Sequence, residues 1–236
     1  MIEARPRRAA HWLFRPYLLR LMRRHLRRVA LREPVPEMPR ELPWLWIANH
    51  NTWWDGFLVY LLNVRLFGRP LYLLMLEEQL RRFWFFRYLG AYGIRPGDPV
   101  EVRRLMRYTA KLLRTEPRPV VVWFPQGELV PYGSPIRFAR GLEFLLRCAE
   151  APLWVQTVGI YPLLWEHVRP ELYVGFGQGW LLEPCFAGPT VEELSAALVE
   201  ELRRLEVAVR QRGPFRVLLE GVRSPHEAPH EETSVK

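Results

Sequence analysis

The sequence predicts an α/β fold. A layered central sheet, mostly parallel or mixed, is flanked by helices and preceded by a basic amphipathic helix. Three observations predict it. Short apolar runs alternate with longer amphipathic stretches along the chain. Several of those runs, such as 44–49 and 119–124, are nearly unbroken in apolar character, as strands covered on both faces are. The chain has 236 residues and is 49% hydrophobic, which is enough to bury a full core and excludes global disorder. The organisation read from these patterns is a basic arm and linker at 1–40, one body domain at 41–220 and a polar tail at 221–236.

The arm comes first. Phe14, Leu18, Met22, Leu26 and Val29 recur at steps of three and four, which predicts a helix over 9–32. Arg20, Arg23, Arg24, Arg27 and Arg28 cluster away from that stripe. Residues 1–40 hold eleven arginines against Glu3, Glu33 and Glu37, a local balance of +8 within a whole-chain charge of +9. The basicity therefore belongs to the arm, and the body is near neutral. Such a helix suits a bilayer interface with its apolar face down, where each arginine contributes about 1 kcal/mol near anionic lipid. The alternative is a helix that packs its stripe on the body and leaves its arginines in water. Basic arms also bind nucleic acid, but no nucleic-acid motif follows this one, and no nucleic-acid partner is expected. A spanning helix needs about 20 mostly apolar residues, and no such run is present. Arg5, Arg7, Arg8, Arg15 and Arg20 interrupt any leader-like segment. The expected location is peripheral, on the cytoplasmic face of a membrane.

The body follows in order. Four prolines make 33–43 a linker. Strands are expected at 44–49, 71–75, 90–95, 119–124, 153–161 and 171–176. Helices are expected at 54–66, 77–89, 100–115, 138–149 and 191–211. From Gly221 onward the polar, proline-containing composition predicts disorder. Cys148 and Cys185 are too few for a disulfide scaffold and lack metal-ligand spacing.

Three segments carry chemistry. His50-Asn51-Thr52-Trp53-Trp54-Asp55 lies where a strand ends and a helix begins. Across such a turn Asp55 reaches back to one ring nitrogen of His50, fixes its tautomer and leaves the other nitrogen to accept a proton. No Ser or Cys stands beside it as a nucleophile, so the proton would come from a bound substrate hydroxyl. The competing reading is a capping Asn/Thr cluster with a structural histidine. Phe124-Pro125-Gln126-Gly127-Glu128 also follows a strand; Gly127 there lets backbone N–H groups face an anion, or simply makes a turn. Gly90-Ala91-Tyr92-Gly93-Ile94-Arg95 sets Arg95 at a strand end, where its planar fork suits a phosphate or is solvated. His11, His25, His167, His226 and His230 have no such setting and read as surface or structural residues.

The order and spacing of these segments resemble the glycerolipid acyltransferase family, typified by 1-acyl-glycerol-3-phosphate acyltransferases. Asn49-His50 and Asp55 match its N-H-x4-D block. Gly90, Ile94 and Arg95 match its second block loosely. Phe124, Pro125 and Gly127 match its F-P-E-G-T-R block, and Phe138-Ala139-Arg140-Gly141 looks like the F-K-x-G stretch that follows. Gln156-Thr157-Val158-Gly159-Ile160 stands where a V-P-V-A-I-like strand would be. The resemblance covers roughly residues 40–180. Three departures stand out: Gln126 replaces the family's glutamate, Glu128-Leu129 replace its Thr-Arg pair, and Thr157 replaces its proline.

What the resemblance implies is acyl transfer from a thioester to a hydroxyl, with His50 as general base and Asp55 as its orienting partner. Arg95, Phe124, Pro125, Gln126, Gly127, Glu128 and Arg140 become candidate substrate-binding residues. Backbone N–H groups near Gly127 become candidates for stabilising the oxyanion. The implied donor is acyl-CoA or acyl carrier protein as co-substrate, the acceptor is a lipid, and neither a metal nor a cofactor is expected. Losing the third-block arginine and gaining Glu128 makes a phosphate less welcome there. A lysophospholipid acceptor and a neutral one, such as a glycolipid or glycosylated isoprenoid, both stay open. So do a thioesterase and a non-catalytic lipid-binding protein on the same fold.

Overall fold

A computed structural model describes residues 1–95, 97–139, 141–147, 152–183 and 188–222. Strand β2, Trp44–Ala48, is buried along its whole length, and its side chains divide by period two. Trp44, Trp46 and Ala48 enter one core together with Leu18 and Met22 of helix α1 (Arg8–His25) and Leu58 and Leu62 of α2 (Asp55–Leu62). Leu45 and Ile47 enter a second core on the opposite face. There they meet Leu105 and Leu112 of α4 (Pro99–Thr115) and Leu142 and Leu145 of α5 (Leu142–Arg147). The result is a three-layer α/β arrangement, as the apolar runs predict.

The remaining elements are β1 (Arg28–Arg32), β3 (Leu71–Leu76), α3 (Glu77–Arg82), β4 (Ala91–Ile94), β5 (Val120–Trp123), β6 (Leu153–Leu163), β7 (Glu171–Leu182), α6 (Val191–Arg210) and β8 (Phe215–Glu220). Eight strands form one sheet in the order β4-β3-β5-β2-β6-β7-β1-β8. The sheet is mixed: β4, β3, β5, β2 and β6 run parallel, while β7 is antiparallel to β6 and β8 to β1.

The arm differs from expectation. The helix ends at His25, and Arg28–Arg32 is a strand that lies between β7 and β8. Leu26 and Val29 fit a helical step, but Val29, Ala30 and Leu31 are all buried in the sheet, and the cross-strand partners decide the conformation. The sheet thus begins before residue 40. The stripe of Phe14, Leu18, Met22 and Leu26 packs on the body, so the apolar face first read as bilayer-facing is interior. β8 was not visible in the sequence. The helix expected over 77–89 breaks at Phe83 into α3 and a 3-10 turn, Trp84–Leu89. The expected tail, with His226 and His230, lies outside the described residues except Gly221 and Val222, whose N–H groups donate to Arg27 and Arg23 carbonyls at 2.8 Å. Cys148 and Cys185 also lie outside them. Among the described residues no helix is long and apolar enough to cross a membrane.

Helix α6 is anchored by a buried ion pair. Arg32 Nε and Nη2 donate to the two carboxylate oxygens of Glu201 at 2.9 and 2.7 Å, and Glu201 is fully buried. Strand β7 makes room for it with a glycine: a Cβ at Gly175 would stand 1.9 Å from Glu201 Oε1. We expect Gly175→Ala to lower stability by about 1–3 kcal/mol, as overpacking does. A thermal melt checks this, and an unchanged Tm would contradict it.

Candidate active site

The parallel strands deliver four side chains to one edge of the sheet. Trp46, Val122, Leu73 and Ala91 stand in register on β2, β5, β3 and β4. Four residues further along each strand stand His50, Gln126, Glu77 and Arg95. The strand order therefore places them in a row at the C-terminal edge, where open α/β sheets carry their sites.

His50 is one end of that row. Its Nδ1 lies 2.9 Å from Asp55 Oδ2. Asp55 is fully buried at the start of α2, and the same oxygen accepts the Asn51 and Thr52 backbone N–H groups at 2.7 and 2.9 Å. Its other oxygen accepts the Thr52 hydroxyl at 2.5 Å. A carboxylate held by four donors at the positive end of a helix is immobile. It fixes the proton of His50 on Nδ1 and leaves Nε2 as the basic atom. The imidazole stacks on Phe124, with ring centroids 4.3 Å apart and planes 16° apart. The capping-cluster reading and the catalytic one meet here: Thr52 and Asp55 do organise the turn, and they do it around a histidine whose side chain keeps a quarter of its surface exposed.

The surroundings lock this loop on three sides. Asn49 is buried and exchanges hydrogen bonds with Ile160 of β6, its Nδ2 donating at 2.8 Å and its Oδ1 accepting at 2.7 Å. Asn49 Nδ2 also donates to Asn51 Oδ1. The third block holds the histidine backbone: Gln126 Oε1 accepts the His50 N–H at 2.6 Å. That acceptor could equally be a carboxylate oxygen, so Gln126 preserves the contact where the family has glutamate. The orientation of the amide follows from it, because Nε2 cannot face another N–H. Among the described residues Gln126 Nε2 is buried without a partner. Gly127 has φ +77°, which favours glycine, and its N–H donates to Phe124 O at 3.1 Å. Of the backbone N–H groups near Gly127, that of Gly127 itself is engaged in closing the turn.

Not every candidate converges. Pro125 is buried beneath the turn, and Glu128 is exposed. Arg95 is the far end of the row, three strand spacings or about 14 Å from His50. Its side chain is largely exposed, and its Nη2 lies 3.5 Å from Glu77 Oε1. Arg81 and the Met1 ammonium also hold that carboxylate, Arg81 foremost, and keep the Glu77 pKa at about 2. Arg140 lies outside the described residues. His11 is half-buried against Tyr60, and burial lowers its pKa, as suits a structural residue. Among the described residues no cluster of His, Cys, Asp and Glu has the makings of a metal site.

One feature of the site was not legible in the sequence. The loop after the third block is pinned to the His50–Asp55 loop, with Val130 N donating to His50 O at 3.0 Å and Asn51 Nδ2 to Val130 O at 2.8 Å. Its continuation and α6 bound a groove of about 290 Å³ beside Asn51.

With this geometry in place, comparison with known proteins decides the family. Residues 27–164, more than half of the chain, match the family described as acyltransferase. The chain belongs to the acyltransferase family. It is an enzyme of that family, and its block pattern is that of the glycerolipid acyltransferases. Five solved chains match the fold. One is the 1-acyl-sn-glycerophosphate (LPA) acyltransferase PlsC from Thermotoga maritima, with a TM-score of 0.54 and 18% sequence identity. That match covers 86% of this chain and 76% of the Thermotoga chain. No curated protein matches the sequence. The acyltransferase match spans β1 through β6, and so includes both loops that form the site.

Proposed function

We propose that this acyltransferase moves a fatty acyl group from an acyl thioester, carried by CoA or acyl carrier protein, to a hydroxyl of a lysophospholipid or related glycerolipid. The observation that carries the reading is the His50–Asp55 pair, with Nδ1 fixed on a buried carboxylate at 2.9 Å, which leaves Nε2 as the atom to accept a proton. His50 Nε2 takes the proton of the acceptor hydroxyl. The oxygen forms a bond to the thioester carbonyl carbon, and the carbonyl electrons move onto oxygen. Collapse re-forms the carbonyl and breaks the C–S bond, and the leaving thiolate takes the proton back from the imidazolium. Asp55 supports the imidazolium between the two transfers, and Phe124 holds the ring plane. General-base catalysis of this kind contributes about 10²–10⁴ in rate. No covalent enzyme intermediate is needed. The test is thiol release from acyl-CoA with and without lipid acceptor. The proposal expects release to depend on acceptor and to equal ester formed. Release of free fatty acid in its absence would identify a thioesterase instead.

The same reading places the protein peripherally on the cytoplasmic face of a membrane, with a different face of α1 turned outward. Trp12 is 77% exposed, and Leu13 and Tyr17 are exposed beside it. Ring contacts run from Phe14 to Phe57 at 6.2 Å and to Phe85 at 6.3 Å, and from Phe57 to Trp53 of the catalytic loop at 4.7 Å. Trp53, Trp84 and Phe85 are themselves exposed. Exposed Trp and Tyr beside the exposed Arg15 and Arg20 suit an anionic bilayer interface, and a patch of this kind marks a contact surface. A large apolar side chain gains about 1.5–3 kcal/mol on full burial. We therefore expect Trp12→Ala and Trp84→Ala each to weaken binding to phosphatidylglycerol vesicles about tenfold. Unchanged co-flotation would contradict the docking face.

A further inference from the structure

The groove beside Asn51 lies on the α6 side of His50, away from Arg95. Its position is dictated by the two bonds at Val130, which hold the third-block loop against His50 and Asn51. Tyr132, Ser134 and Ile136 of that loop form one wall, and Val199, Arg203 and Glu206 of α6 the other. Its volume of about 290 Å³ lies just under the range of ligand sites, roughly 300 to 1,000 Å³.

The lining selects a chemistry. Arg203 donates twice to Glu200, at 2.8 and 2.9 Å, and Glu206 accepts from Arg210 at 2.5 Å. The charges that border the groove are thus matched along α6, and the cation facing it is already engaged. Glu128 and Leu129 occupy the start of the same loop, where the family pattern has a threonine and an arginine. Nothing in this lining favours a phosphate over water. Ser134 and Glu206 place polar atoms among Ile136, Val199 and Leu202, so the lining suits a ligand that has both polar and apolar faces. What the lining offers is hydroxyl and carboxylate groups beside an aromatic ring. Tyr132 is held edge-on against Tyr161 with centroids 4.8 Å apart, and burial raises its phenol pKa, so it is a protonated hydroxyl at neutral pH. A tyrosine of this kind presents an apolar face and a polar tip; the neighbouring Ser134 hydroxyl gives and accepts hydrogen bonds, and the Glu206 carboxylate accepts them.

We propose that this groove is the acceptor headgroup site, and that the headgroup it takes is neutral and rich in hydroxyls, a sugar carried on a lipid. The proposal rests on the acyl-transfer reading above and, among the glycerolipids named there, takes a glycosylated one in place of a lysophospholipid. The headgroup would lie between Tyr132 and α6, with one of its hydroxyls reaching His50 across Asn51. Acyl transfer then forms the ester on that hydroxyl and releases the thiol, as written above.

The test is acyl transfer from labelled palmitoyl-CoA to two acceptors offered separately, monoglucosyl-diacylglycerol and lysophosphatidate. The full chain, its Tyr132→Phe and Ser134→Ala variants and the His50→Ala control are compared. The proposal expects wild-type kcat/KM to favour the glucosyl lipid by tenfold or more. Each single variant should raise the KM for the glucosyl lipid several-fold and leave the KM for palmitoyl-CoA in place. Because both substitutions are small, a folding defect would show as a parallel fall in kcat for both acceptors; the KM split separates the two cases. Transfer to lysophosphatidate with none to the glucosyl lipid would overturn the groove assignment and leave acyl transfer standing. So would a glucosyl KM that neither variant moves. Label entering neither lipid above the His50→Ala level would overturn the acyl-transfer reading itself.

Discussion

His50→Ala is expected to reduce acyl transfer by about 10²–10⁴-fold, the share that general-base catalysis supplies. Binding should change far less. Among the described residues the His50 side chain bonds to Asp55 and stacks on Phe124, and its backbone bonds to Gln126 and Val130 survive the substitution. The fold should therefore hold, and a melt within a few degrees of wild type would separate lost chemistry from lost structure. Circular dichroism with steady-state rates on one preparation checks both. Turnover within a few-fold of wild type would remove His50 from the reaction.

Asp55→Asn tests the other half of the pair and should cost nearly as much. An amide keeps the size of the side chain but presents N–H₂ where one oxygen stood. Three donors converge on Oδ2, from the His50 ring and the Asn51 and Thr52 backbones, and one on Oδ1. Either placement of the amide sets an N–H against a donor. If it faces the ring, His50 must turn its lone pair to Nδ1 and carry its proton on Nε2, where the substrate proton has to go. In serine proteases the same exchange lowers turnover about 10⁴-fold. Here a second effect adds to it: leaving buried donors unpaired costs about 1–3 kcal/mol each. The variant should be both slow and less stable, unlike His50→Ala. A variant of full activity would mean that Asp55 only caps α2.

How much of this was legible in the sequence differs by the range of the interaction. The strands β2 and β5 were legible because both faces are covered and the apolar runs are unbroken. The His50–Asp55 pair was legible because five residues across a strand-to-helix turn leave few geometries. Thr52 stood in the same block, and its bond to Asp55 is local. Periodicity also found the inward stripe of α1, but it says only which residues share a face. Whether sheet or lipid covers that face is decided by β1 and α2, and the exposed Trp12, Leu13 and Tyr17 do not belong to the stripe at all. Val29 satisfied a helical step while its cross-strand partners made it a strand. The Asn49–Ile160 clamp spans 111 positions, and no local pattern signals it. The groove is of the same kind, because α6 and the loop after Val130 meet only once the sheet is ordered. Arg95 shows the reverse case. Its position at a strand end was read correctly, yet the strand order sets it three strands from His50, beside Glu77.

The central claim is that His50, held by Asp55, moves an acyl group from a thioester to a lipid hydroxyl. Its most direct test uses acyl-labelled palmitoyl-CoA, purified protein and a mixed extract of polar and glycosylated lipids. Label is then counted in alkali-labile lipid ester. The account predicts ester label that rises with wild-type enzyme in step with free thiol and stays at background with His50→Ala. Equal label from both proteins, or thiol release with no labelled ester, would contradict it.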